Sequence, residues 1–356
     1  MARTIPPTLR TKRALSVLGL LGLLTVAGPV LDASAASPQG YYVALGDSYS
    51  SGEGLTPYPT SPTGCSQSPL AYPELVQRTL RFTKLFFEAC PGATTAQVES
   101  QVAHVSPAVW KRTRLVTITA GGNDLPFFGL ITACTGAVAS AQATSFLYLT
   151  NVSSASICET AISRAATLLG TTIDAATGTV ERPRLVLAHP LTHPSALERR
   201  LRNLYVRVLR AEGVVKDPHS NARVVIVQYP NLIGARTNSY CLLSSSPLHL
   251  KELPKYNGKY LAFTPTTSAQ LLSINTYLQA ETGAVVRALK ADGIRQISLG
   301  PLTNSFAPLD CANGASPDLN GFLVNALTSN SAQGSFHPTA AGQSQMASSV
   351  LAAWRH

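Results

Sequence analysis

Short apolar runs recur along this chain with helical stretches between them, and that alternation constrains the fold more than any other feature. Tyr41–Leu45 is apolar and stops at Gly46, which predicts a buried strand. Phe82–Phe87 reads as a second strand, and the β-branched run Leu115–Thr119 as a third, stopping at Gly121-Gly122. Val224–Val227 is a fourth, ending near Tyr229-Pro230, and Ile297–Leu299 is a last short one. Between them, Leu70–Leu80, Thr94–Val102, Leu197–Leu209, Ile274–Leu289 and Ala340–Trp354 carry helical spacing; the third has apolar residues at 197, 201, 204, 205, 208 and 209. Strands alternating with helices predict an α/β fold: a parallel sheet with helices on both faces. In such sheets function gathers beyond the carboxyl ends of strands, here just after Leu45, Thr119 and Val227. Two stretches do not fit the alternation. Leu125–Glu181 and Gly234–Leu272 are rich in Ser, Thr, Ala and Pro, and read as insertions that wall or cover a site.

The amino terminus has a different character. Arg3, Arg10, Lys12 and Arg13 precede the apolar run Ala14–Val30, and Ala33-Ser34-Ala35 offers a small-residue cleavage site. The segment 1–35 is therefore expected to be a secretory signal and 36–356 a single domain with the two insertions. The apolar run is somewhat short for an uncleaved anchor. The formal net charge of +10 falls to about +7 once the four cations and Asp32 of that segment are removed. A basic surface favours transient contact with anionic lipid or polymers. No Lys/Arg block interleaved with aromatics points to nucleic acid. Much of the charge between Arg199 and Arg210 reads as the wet face of a helix. Cys65, Cys90, Cys134, Cys158, Cys241 and Cys311 show no metal-ligand spacing, and behind a secretory signal their even number predicts three disulfides. Pairing in order along the chain, 65–90, 134–158 and 241–311, would staple three loop-rich segments. Asn151-Val152-Ser153 matches a glycosylation acceptor, and carries little meaning in a bacterial-looking chain.

Four segments carry chemistry. Gly46-Asp47-Ser48-Tyr49-Ser50-Ser51-Gly52 follows the first strand, so Ser48 can present its hydroxyl in a cleft, with its own N–H at a helix start where negative charge is stabilised. Pro91-Gly92-Ala93-Thr94-Thr95 leaves Gly92 before a helix with its N–H available. Gly121-Gly122-Asn123-Asp124 follows the third strand and lets Asn123 aim an amide inward. Ser335-Phe336-His337-Pro338 precedes the last helix; His189 and His193, which follow the apolar Leu185–Ala188 run, are rival histidines by spacing alone. Asp47 and Asp124 each adjoin a candidate residue and read as loop-fixing hydrogen-bond acceptors rather than catalytic acids.

In this order and context the four segments resemble the SGNH, or GDSL, hydrolase superfamily, and the GDSYSSGEG and SFHPTAAGQ forms resemble its secreted actinobacterial lipase-like branch. The resemblance runs from about Tyr41 to the end, apart from the two insertions. It implies a three-layer α/β/α, flavodoxin-like fold, Ser48 as nucleophile, His337 as general base, and an oxyanion hole of Ser48 N–H, Gly92 N–H and the Asn123 side chain. No metal or organic cofactor is implied. One position departs from the pattern: where many members carry an Asp three residues before the His, this chain has Gly334. A main-chain carbonyl can fix the histidine tautomer instead, which implies Ser335, or alternatively Gly334; Asp310 or Asp318 could also swing in from the preceding loop. The expected activity is secreted carboxylic ester hydrolysis on small-molecule or lipid esters, by a monomer. A polysaccharide O-acetylesterase or a phospholipase would use the same residues, and a non-catalytic surface-binding protein that kept the fold is the reading that the missing Asp motivates.

Overall fold

The computed structural model describes residues 40–61, 63–125, 127–134, 155–173, 180–181, 194–213, 217, 220–234, 241–242, 262–263, 265–301, 306–311, 316–321 and 334–355. The segment 1–35, the rival histidines His189 and His193, and the Asn151-Val152-Ser153 triplet lie outside the described residues, as do parts of both expected insertions.

In chain order the elements are β1 (Tyr41–Gly46), α1 (Ser48–Ser51), α2 (Tyr72–Leu80), β2 (Lys84–Phe87), α3 (Thr95–His104), α4 (Pro107–Trp110), β3 (Thr113–Thr119), α5 (Phe127–Cys134), α6 (Ala155–Leu168), β4 (Thr172–Ile173), β5 (Val180–Glu181), α7 (Ala196–Ala211), β6 (Arg223–Val227), β7 (Cys241–Leu242), β8 (Ala262–Phe263), α8 (Pro265–Ala291), β9 (Ile297–Gly300) and α9 (Ala340–Arg355). Five of the strands form one sheet in the order β2-β1-β3-β6-β9, every neighbouring pair parallel. Numbered within that sheet the order is 2-1-3-4-5, the flavodoxin-like winding. The chain steps outward from β1 to β2, then reverses past β1 to β3, and right-handed crossovers in opposite directions place helices on opposite faces. Accordingly α2 packs with α9, while α3, α7 and α8 pack side by side. The result is a three-layer α/β/α architecture.

The central strands are buried on both faces, which is why they read as unbroken apolar runs instead of alternating ones. Val43, Ala44 and Leu45 of β1, Val116 and Ile118 of β3, and Val224 and Val225 of β6 are essentially inaccessible. In α7, the apolar stripe Leu197, Leu201, Leu204, Tyr205, Val208 and Leu209 is the buried face. A capping box, in which the Ser195 hydroxyl accepts from Glu198 N and the Glu198 carboxylate from Ser195 N, starts that helix.

Several element boundaries shift by a residue or two from the sequence expectation, and that of α8 shifts most. α8 runs from Pro265, nine residues before Ile274, so the end of the supposed second insertion is helix. Its first turns, Pro265-Thr266-Thr267-Ser268, are polar and hide the periodicity, although Pro at the first helical position is itself a start signal. β2 begins at Lys84 instead of Phe82; Phe82 turns inward and its ring packs against Tyr42 and Trp354. Disulfides join Cys65–Cys90, Cys134–Cys158 and Cys241–Cys311. The second ties α5 to α6, and the third ties β7 to the segment after Leu309.

Candidate active site

The sheet order reverses between β1 and β3, and there the carboxyl ends of neighbouring strands splay and open a crevice. Gly46 ends β1 with φ +133°, and a Cβ there would lie 2.6 Å from Thr119 Oγ1 and 2.7 Å from Ser50 Oγ, so only glycine fits. The Gln101 side chain, reaching from α3, holds this glycine like a short piece of partner strand: its Oε1 accepts from Gly46 N and its Nε2 donates to Gly46 O, both at 2.8 Å. Asp47 then caps the single turn α1, its Oδ1 accepting from Tyr49 N at 3.0 Å. The same oxygen accepts from Thr119 Oγ1 at 2.8 Å, and Oδ2 accepts a short hydrogen bond from the Tyr229 hydroxyl. Burial pushes the Asp47 carboxyl up to about 6, against the pull of the Tyr229 and Thr119 donors. Asp47 therefore fixes the turn that carries Ser48.

Ser48 and His337, 289 positions apart in sequence, meet at this crevice: Ser48 Oγ lies 2.7 Å from His337 Nε2. His337 Nδ1 lies 3.0 Å from Ser335 O. A carbonyl oxygen only accepts, so Nδ1 carries the hydrogen and Nε2 is left with its lone pair toward the serine hydroxyl. The Asp318 carboxylate accepts from Ala307 N at 2.7 Å. Asp318 instead supports the histidine loop through its backbone, accepting from Thr339 N, while its neighbour Asn320 donates to His337 O and accepts from Phe336 N. Phe336 adopts φ +61°, the left-handed region that non-glycine residues rarely occupy, and its carbonyl accepts from the Tyr49 hydroxyl at 2.7 Å. Tyr49, the residue after Ser48, thus holds Phe336, the residue before His337.

Gly92 and Asn123 reach the same crevice from β2 and β3. Gly92 has φ +78°, and a Cβ built on it would meet nothing within 4 Å, so the backbone turn and not lack of space calls for glycine. The amides of Cys90 and Ala93 on either side are taken up by Gly46 O and Cys90 O. Asn123 Nδ2 donates one hydrogen to Ala93 O at 3.1 Å, which orients the amide and leaves its other hydrogen for a ligand. Asp124 pins the two turns together: Oδ2 accepts from Thr95 N and Oδ1 from Thr95 Oγ1, each at 2.8 Å, and Arg200 of α7 pairs with Oδ1 at 3.1 Å.

Residues the sequence motifs do not flag hold these parts in register. The Tyr229 hydroxyl accepts from Gly122 N at 3.1 Å and donates to Asp47, so one phenol spans the β1 and β3 turns. Gln343 of α9 accepts from Tyr72 N at 2.7 Å and donates to Tyr49 O at 3.1 Å. Phe336, one residue before His337, joins Phe127, Ile131, Leu232, Phe263 and Leu271, among others, in lining a narrow apolar crevice.

The model of the GDSL-like lipase/acylhydrolase family matches residues 44–345. A lipase of Streptomyces rimosus is 44% identical over 93 residues, 26% of this chain and 34% of that protein. Lipase 1 of Streptomyces coelicolor is 40% identical over 119 residues, 33% of this chain and 42% of that protein. The matched stretches thus span less than half of these relatives. Among solved structures, phospholipase A1 from Streptomyces albidoflavus NA297 superposes with a TM-score of 0.56 at 25% identity, covering 88% of this chain and 98% of that one. The extracellular lipase from Streptomyces rimosus gives 0.54 at 24% identity, over 88% and 99%, and shares the fold. The family match begins inside β1 and ends inside α9, so it takes in every segment that meets at the crevice, and the chain belongs to the GDSL-like lipase/acylhydrolase family.

Proposed function

We propose that this protein is a secreted serine hydrolase of carboxylic esters, working through a Ser48–His337 dyad and an acyl-enzyme. The observation that carries the reading is the 2.7 Å contact between Ser48 Oγ and a His337 whose tautomer is fixed by Ser335 O. Ser48 Oγ attacks the ester carbonyl while Nε2 takes its proton. The oxyanion that forms meets the Ser48 and Gly92 amides and the Asn123 side chain. Collapse expels the alcohol, which leaves with the proton from Nε2. Water, deprotonated by the same nitrogen, then attacks the acyl-enzyme, and the acid departs as Ser48 recovers its hydrogen. Ser335 O supplies a dipole where many members of the family place a carboxylate, so the imidazolium is steadied by a partial charge.

The largely apolar lining of the narrow crevice at Phe336, one residue from His337, is compatible with an aliphatic acyl chain. The similar phospholipase A1 and lipases agree with lipid-like substrates. Three disulfides and the expected leader over 1–35 support export of a single domain over 36–356. Ser48→Ala should abolish p-nitrophenyl ester turnover and leave the circular dichroism unchanged, and retained turnover would reject the nucleophile. In a panel of graded acyl chains, medium chains should be hydrolysed faster than acetate; an acetyl-only profile would identify an O-acetylesterase instead.

A further inference from the structure

All five strands of the main sheet run the same way, so their exits share one rim and their entries the opposite one. Ser48, Gly92 and Asn123 stand at the exit rim. The entry rim is basic: Arg81 and Lys84 lead into β2, Lys111 and Arg112 into β3, Arg223 opens β6, and Arg295 precedes β9. Strand register brings them side by side, with Tyr41 opposite Lys84 on one flank and Thr113 on the other, Leu115 opposite Arg223, and Val224 opposite Ile297. All six cations are exposed except Arg223, which is half-buried.

Aromatic rings are interleaved with this charge. The Arg112 guanidinium sits 4.4 Å from the centre of the Tyr41 ring, Lys84 Nζ 4.7 Å from that of Phe86, and Arg223 6.0 Å from that of Trp354. The carboxyl groups on the segments leading into this end are Glu212, Asp217 and Asp292. Asp292 pairs with Arg202 at 3.1 Å. Glu212 is the C-cap of α7, and neither of its buried oxygens has a partner. The rim therefore keeps an excess of positive charge. Gly40, through which the chain enters β1, lies on the same rim, and the apolar run Ala14–Val30 precedes it closely in sequence.

We propose that the entry rim docks this protein on an anionic lipid surface and points the Ser48–His337 crevice away from it. Exposed cations are drawn to anionic headgroups within roughly a Debye length, and Tyr and Trp rings settle at headgroup depth. Among the described residues the large exposed apolar side chains, Leu70 and Ile157, are not on this rim, so adsorption there is chiefly coulombic and gives way to salt. The six residues of β1, at about 3.3 Å each, set the crevice roughly 20 Å beyond the rim, outside the reach of lipids that stay in the bilayer. A protein held this way processes esters arriving from solution, and its basic charge serves retention instead of delivering the site to the membrane.

The test is partition of the intact protein onto phosphatidylglycerol and phosphatidylcholine vesicles at low and high salt, with circular dichroism matched across variants. Binding should require phosphatidylglycerol and be lost at high salt. Lys84→Glu/Arg295→Glu should weaken it at least tenfold. Arg199→Glu, at the crevice end of α7 beside the Arg200–Asp124 pair, should change it by about twofold or less. Orientation is read by the rate at which a water-soluble fluorophosphonate labels Ser48, an arm that rests on the nucleophile proposed above; vesicle-bound and free protein should label equally fast. Equal weakening by Arg199→Glu, slower labelling on vesicles, or binding to linear polyphosphate or an oligonucleotide without binding to vesicles would each overturn the proposal. Absence of labelling in free solution would reject the nucleophile and leave the rim to be judged by its charge variants.

Discussion

Asp47 and Asp124 occupy matching places, each beside a residue that faces the crevice at the end of a neighbouring strand, yet they are held by different physics. Asp47 is sealed in the interior and satisfied only by neutral donors, the hydroxyls of Thr119 and Tyr229 and the Tyr49 amide. Asp124, itself only 3% exposed at its side chain, is satisfied by the buried Thr95 and by a charged partner, Arg200, whose side chain is 49% exposed. The Ser48 turn is thus locked by a buried network of neutral donors alone. The Asn123 turn is tied to α3 by buried hydrogen bonds and to α7 by an ion pair whose cationic side reaches solvent. An acidic residue next to a candidate site residue is in both cases a fastener, and the charge of its partners sets the two apart.

The largest effect should come from the group that the Asp124 fastening serves. Asn123→Ala should lower kcat on p-nitrophenyl esters by about 10²–10³ with little change in KM and no loss of fold, as expected for a donor used mainly in the transition state. A proportionate rise in KM alone would place Asn123 in ground-state binding. Asp47→Ala strands three buried donors and should cost on the order of 3 kcal/mol by denaturant titration, whereas Asp124→Ala strands the two Thr95 donors while Arg200 turns to water, and should cost about 2 kcal/mol. Equal losses would erase the contrast between the two turns.

Smaller, and specific to the Asp47 turn, is a pH signature. Burial raises the folded pKa of Asp47 from the ordinary carboxylate value of about 3.9 to about 6, so the folded state holds more protons than the unfolded state in that window. Stability from this group is fully present below the unfolded pKa, falls as pH rises toward 6, and then levels off, a total of roughly 3 kcal/mol. Asp47→Asn should flatten that slope; an unchanged slope would show that Asp47 titrates as it does in the unfolded chain.

What the sequence made legible is what local chemistry encodes. Strand runs stop at Gly46 and Gly121-Gly122, and the candidate residues sit in short motifs beside those stops; each motif alone also reads as an ordinary turn, and it is the four in order, through the family they resemble, that nominate Ser48, Gly92, Asn123 and His337. For the group facing His337 Nδ1 the resemblance implies a main-chain carbonyl, Ser335 or Gly334, and leaves Asp310 and Asp318 open; the contact present is Ser335 O at 3.0 Å. The supports were not legible. Tyr229 meets Asp47 across 182 positions and Gln343 meets Tyr49 across 294, contacts with no periodicity or motif to announce them. Gln101 reads as an ordinary polar residue of α3 until the fold brings its amide to Gly46. The polar opening turns of α8 concealed a helix in the same way, since their burial comes from the tertiary packing around them.

Phe336 serves two masters. Its backbone is bent into a sense that favours glycine, at a cost of about 1–2 kcal/mol, in order to deliver the next residue to the serine. Its ring meanwhile helps wall the crevice proposed for the acyl chain. A glycine would relieve the bend and delete the wall; a β-branched residue would keep a smaller wall and make the bend harder to sustain. In the proposed mechanism, tuning what is accepted at that position therefore means retuning how His337 arrives.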